Sequence, residues 1–252
     1  MPADPTRRRD LLRAAALGAV VVLPVVALAV AVRGESGTVV RVDQSVVRAA
    51  TDLTRTSDGL RTVLVVWQEV FAARWLNLLL VPAVCVWAWR RHGLRDRVLW
   101  AACTVGVGWL LQLAAKGIVQ RTRPVIEDAV AHAPGSSFPS GHAANTTIVA
   151  VTLTLLLWPV LGRRGRVLLP LTGAVLVVLT AADRVLLGVH HPSDVVAGVL
   201  LGLAVAGASY VGWRRGPTHP GTGTTHDPGD DTTHDSTHDP ARDTSHPAHG
   251  PS

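Results

Sequence analysis

The chain has 252 residues, 48% hydrophobic and only 17% charged, with a mean hydropathy of +0.30. A soluble domain carries about a quarter charged residues, so this composition points to a membrane protein. The net charge of +6 and isoelectric point near 10.8 come from 23 arginines and one lysine, Lys116. These arginines punctuate apolar runs instead of forming a basic face, which excludes nucleic-acid binding.

Six apolar stretches follow one another at about 14–32, 70–89, 98–115, 143–161, 167–182 and 194–213. Each approaches or meets the length of about 17–25 residues needed to cross a bilayer. The pattern predicts an all-α, polytopic membrane bundle of about six transmembrane helices over residues 1–215. Arginine clusters at 7–9 and 13, at 90–97, at 163–166 and at 214–215 all fall on one side if every stretch crosses. By the positive-inside rule that side is the cytoplasm, with both termini there, as in a bacterial plasma-membrane protein. Trp87, Trp89, Trp100, Trp158 and Trp213 fall near the same ends, as an interfacial belt does. The first stretch, following Arg7-Arg8-Arg9, also has the layout of a secretory or twin-arginine signal. Its 19 residues favour an uncleaved span, and cleavage would leave the other five in place.

Residues 33–61 form the first outer loop. Arg41, Gln44, Arg48, Asp52 and Arg55 share one helical face, with Val39, Val42, Val46, Ala50 and Leu53 opposite. This predicts an amphipathic scaffolding helix lying at the outer surface. Cys85 and Cys103 lie within apolar runs and read as small buried hydrophobes. The boundary near Arg215 separates a body of charge +11 from a tail, 216–252, of charge −5. That tail repeats Thr-His-Asp, holds six of the eleven histidines and lacks the apolar residues for a core. It reads as a disordered cytoplasmic tail, with weak metal binding by its histidines as the secondary reading.

Three polar clusters fall at the outer ends of the spans. They are Lys116 through Pro124, Pro139-Ser140-Gly141-His142, and Asp183 through Asp194. Lys116, Arg121, Arg123 and Arg184 are cations on the side that the positive-inside rule depletes. One such cation is ordinarily a snorkelling side chain; several converging from different segments indicate an anion, with phosphate the leading ligand. Ser140 can cap a helix, and Gly141 lets backbone N–H groups approach a ligand. His190 and Asp194 are four residues apart, so the carboxylate can fix one imidazole nitrogen and leave the other free to attack.

Together, Lys116 with Arg123-Pro124, then Pro139–His142, then Arg184, His190 and Asp194 resemble the type 2 phosphatidic acid phosphatase family. That family shares its site with the vanadium haloperoxidases. The resemblance covers about residues 116–194 and implies a metal-independent phosphatase without a cofactor. It makes His190 the nucleophile forming a phosphohistidine, Asp194 its orienting group and His142 the proton donor. Lys116, Arg123, Ser140, Gly141 and Arg184 would hold the phosphate. Asp183 stands where the family usually has serine; it can orient Arg184 but, when ionised, cannot donate to phosphate. His191 lies outside the pattern and reads as substrate-facing or interfacial.

A membrane setting implies a lipid phosphate or diphosphate as partner, with undecaprenyl diphosphate, phosphatidic acid and phosphatidylglycerol phosphate all fitting. One alternative is a haloperoxidase-like enzyme holding vanadate, although known members are soluble. Another is a non-catalytic anion-binding membrane protein, which the nearly uncharged span interiors disfavour.

Overall fold

Backbone in hydrocarbon must satisfy its own hydrogen bonds, which a helix does within one segment. Every regular element among the described residues is accordingly helical. The structure, a computed structural model, describes residues 5–125 and 134–214, with backbone alone for 5–15, 17, 18 and 21. The tail and the side chains of Arg7, Arg8, Arg9, Arg13 and Arg215 lie outside the described residues.

Helix α1 runs Pro5–Arg33, α2 Gly37–Arg55, α3 Asp58–Val70 and α4 Ala73–Trp75. After a π-helical turn at Leu76–Leu80 come α5 Val81–His92, α6 Arg95–Val119, α7 Gly141–Leu157, α8 Gly165–Leu186 and α9 Pro192–Arg214. Five helical stretches are long and apolar enough to cross a membrane. The expected first span, 14–32, falls within α1, whose Val22–Arg33 part is turned by 89° from Gly37–Arg55, a bent pair that makes a sixth span only when taken as one. The second stretch runs Asp58–His92, longer than the expected 70–89. Its start is set by Ser57, whose hydroxyl accepts from the Leu60 N–H. This N-cap is reinforced by Asp58 in the first turn. Gly93, at φ 65°, ends the stretch in a left-handed cap.

Helix α2 forms as the amphipathic pattern predicts, but it has three faces. Val42, Val46 and Leu53 remain exposed, while Asp43, Val47, Thr51 and Thr54 are buried against the protein. At 3.6 residues per turn the buried stripe lies about 100° from the apolar one. Thr54 Oγ1 donates to the Leu186 carbonyl at 2.8 Å, tying α2 to the end of α8.

Helix α7 is central: 61% of its apolar window is buried inside the protein, against 6% for α8. It is packed closely by small residues, since a Cβ on Gly198 would lie 2.6 Å from the Ser140 carbonyl oxygen. A Cβ on Gly202 would meet Thr147 Cβ at the same distance. Such small-residue contacts let helices approach where no hydrophobic force drives them together. On α8, Val167, Leu168, Leu171, Val175 and Val178 face outward. At the ends away from the polar clusters, Arg95 lies over Trp89, Arg97 over Trp213 and Arg166 over Trp158.

Candidate active site

The site is assembled at the C-terminal ends of α6 and α8 and the N-terminal ends of α7 and α9. Helix α8 ends with Leu187 donating to the Asp183 carbonyl, and Gly188 then turns the chain at φ 69°. That left-handed turn suits glycine. It brings His190 inward, where only 3% of the residue is exposed. Pro192 opens α9 with a φ already suited to a helix, which places Asp194 in its first turn.

Asp194 is fully buried. Its Oδ2 accepts the His191 backbone N–H at 2.9 Å and lies 3.7 Å from His190 Nδ1. Its Oδ1 accepts from Arg121 Nη1 at 2.6 Å. His190 Nδ1 therefore faces a fixed carboxylate, at ion-pair rather than hydrogen-bond distance. The other ring nitrogen, Nε2, lies 3.4 Å from Arg123 Nη1. Burial, opposed by the Asp194 carboxylate, lowers the His190 pKa to about 4. The ring is thus neutral at pH 7, the form in which a nitrogen lone pair can attack.

His190 opens onto a cavity of about 880 Å³ lined also by Lys116, Arg123, Gly141, His142 and Arg184. Its cations are anchored by backbone and side-chain acceptors. Lys116 Nζ donates to the Ser136 carbonyl at 2.8 Å, and Arg123 Nη1 to the Val189 carbonyl at 2.7 Å. Arg184 Nε donates to Asp183 Oδ2 at 2.8 Å, Nη2 donates to the same oxygen, and Nη1 donates to Gln68 Oε1 at 3.2 Å. Gly141 lies close to Gln112: a Cβ there would lie 2.8 Å from Gln112 Oε1, so that amide would have to shift. His142 Nε2 lies 3.2 Å from the Gln68 carbonyl, which can only accept.

Ser140 does not form the side-chain cap its position suggested. It is fully buried, does not line the cavity, and gives its N–H to the Asp194 carbonyl at 2.9 Å. The His191 ring lines a neighbouring 710 Å³ cavity with Arg33, Arg41 and Gln44. Gln68, Gln112 and Asp43 escaped sequence reading. Their polarity within apolar stretches was the available signal, but it named no partner. Among the described residues no three His, Cys, Asp or Glu side chains are placed to hold a metal ion.

The profile of the PAP2 superfamily matches residues 97–216. Decaprenylphosphoryl-5-phosphoribose phosphatase of Mycobacterium tuberculosis is 36% identical over 136 residues, covering 52% of this chain and 67% of that protein. The chain belongs to the PAP2 superfamily. A protein of Escherichia coli provisionally named undecaprenyl-diphosphatase is 31% identical, over 52% of this chain and 65% of that one. The crystal structure of a transmembrane PAP2-type phosphatidylglycerolphosphate phosphatase from Bacillus subtilis superposes with a TM-score of 0.71. At 25% identity it covers 80% of this chain and 98% of its own. With five long apolar stretches and this neighbour, the chain is a multi-pass membrane protein of the PAP2 fold. Helices α2 and α3, which bring Asp43 and Gln68 to the site, precede the residues matched to the PAP2 superfamily profile.

Proposed function

We propose that this PAP2 phosphatase removes the terminal phosphate of a lipid phosphate or diphosphate through a phosphohistidine on His190. The observation carrying this reading is the neutral, buried His190 whose Nε2 faces a cavity holding three anchored cations. Lys116, Arg123 and Arg184 hold the phosphoryl oxygens and stabilise the charge developing there, with Gly141 offering its backbone N–H. His190 Nε2 attacks phosphorus as the bond to the leaving oxygen breaks, and Asp194 stabilises the resulting imidazolium. His142 gives its proton to that oxygen. Water then attacks phosphorus with His142 as base, releasing phosphate and restoring His190. In this scheme Ser140 supports the Asp194 main chain instead of touching phosphate.

The arginine–tryptophan pairs at the ends remote from the cavity support a cytoplasmic placement of those ends and an extracytoplasmic site. Residues 1–215 are the membrane phosphatase domain, and 216–252 a separate cytoplasmic tail. Substrates named for the relatives share a terminal phosphate on a lipid-linked group, and undecaprenyl diphosphate fits a bacterial envelope enzyme.

Purified protein in detergent is expected to release phosphate from dioctanoyl phosphatidic acid at an undiminished rate with EDTA present. A requirement for added Mg²⁺ would contradict charge stabilisation by the three side chains alone. His142→Asn is expected to lower kcat/KM, which reports formation of the phosphohistidine and not its hydrolysis, by about 10²–10³-fold with that alkyl phosphate. With p-nitrophenyl phosphate, whose leaving group needs no proton, the loss should shrink to about tenfold or less. Equal losses with both substrates would argue against proton donation by His142.

A further inference from the structure

We infer that Asp43 and Arg121 are positioning residues for the nucleophile, linking helix α2 to His190 through Asp194. This rests on the phosphohistidine reading above. Arg121 is forked between two buried carboxylates: Nη1 donates to Asp194 Oδ1 at 2.6 Å and Nη2 to Asp43 Oδ2 at 2.7 Å. Nη1 also donates to Ser193 Oγ at 2.7 Å. Asp43 closes the network from α2, accepting the Ser193 N–H on Oδ1 at 3.0 Å and the Ser193 hydroxyl on Oδ2 at 2.5 Å. Asp43 is 2% exposed.

The arrangement answers a question that the cavity poses. Arg121 lines the same cavity as Lys116, Arg123 and Arg184. An unrestrained guanidinium there would be drawn to a bound phosphate, for which its fork geometry is well suited. Asp43 instead holds one arm of Arg121 on the α2 side, so the other arm remains on Asp194. Asp194 Oδ1 is thereby occupied, and Oδ2, steadied by the His191 N–H, is the oxygen left facing His190 Nδ1. A buried guanidinium with a carboxylate on each arm is also far less costly than one with a single partner. Outer partners of this kind fix the orientation of a reacting group, and their loss typically costs about 10–100-fold in activity.

The test uses the full-length protein in detergent with dioctanoyl phosphatidic acid. Asp43→Asn places an amide near the Arg121 arm and removes the balancing charge. It is expected to lower kcat about 10–100-fold with KM unchanged or lowered, because the phosphate-holding cations remain and the freed Arg121 arm is drawn toward the phosphate. Asp43→Glu, which restores the charge, should recover most of kcat. Asp43→Asn added to Arg121→Gln should cost little beyond Arg121→Gln alone, as expected for two members of one chain. Thr54→Val, which cuts the Thr54–Leu186 hydrogen bond between α2 and α8, should leave kcat unchanged. Should Asp43→Asn fail to fold, Arg121→Lys is read for the same split between kcat and KM.

Wild-type kcat in a folded Asp43→Asn or, in its place, Arg121→Lys protein would overturn the assignment. So would an equal loss in Thr54→Val, which would reduce α2 to general docking. Full activity in a His190→Gln control would overturn the phosphohistidine reading, and the assignment with it.

Discussion

Replacing His190 by glutamine is expected to lower kcat by about 10⁴-fold or more while leaving the protein folded. Glutamine preserves much of the side chain's volume and some hydrogen-bonding capacity, but it has no lone pair able to attack phosphorus. The loss should be large because the mechanism passes through a covalent intermediate on that nitrogen, with no nearby group placed to replace it. His142 is held to the Gln68 carbonyl, and the His191 ring lines a different cavity. Binding should persist, since Lys116, Arg123 and Arg184 take their anchors from other groups. A slow residual hydrolysis by water in the same cation cradle is consistent with this; turnover within tenfold of wild type is not.

Asp183→Ala is expected to have the largest effect on stability. Arg184 is 2% exposed, and its Nε and Nη2 both donate to Asp183. Removing that carboxylate leaves a buried guanidinium with the Gln68 amide oxygen and, as counter-charge, only the non-bonded Glu69 carboxylate among the described residues. Breaking one side of a buried ion pair costs about 3–5 kcal/mol. For a chain of this size that corresponds to a fall of about 10 °C in the thermal midpoint, measured in detergent. The kcat/KM should also drop, because Arg184 loses the partner that aims it into the cavity. Asp183→Ser, restoring the residue usual in the family, keeps one acceptor and should cost less on both measures. Equal midpoints for wild type and Asp183→Ala would show that Arg184 does not depend on this carboxylate.

The unequal legibility of the site follows from where each contact is made. Lys116 and Arg123 lie on one short segment, Gly141 and His142 on another, and Arg184, His190 and Asp194 on a third. Local spacing therefore carried their relation, and the topology placed the three segments at one side. Asp43 and Gln68 reach the site only by tertiary packing, 150 residues from Ser193 and 116 from Arg184 respectively. A two-faced reading of α2 separated apolar from polar residues and had no place for a third, buried face. The cap expected of Ser140 fails for a related reason. As the residue before a helix it had the local signature of a cap, but Gly198 allows α9 so close that Ser140 is sealed between helices. The long apolar runs were easier, because spanning a bilayer constrains length and composition together.

The most direct measurement of the central claim is rapid acid-free denaturation of the enzyme during turnover of ³²P-labelled dioctanoyl phosphatidic acid, followed by peptide mapping. The account predicts a label that is stable in alkali and lost in acid, located on His190 and absent from His190→Gln. Label on another residue, or turnover by His190→Gln at the wild-type rate, would contradict it.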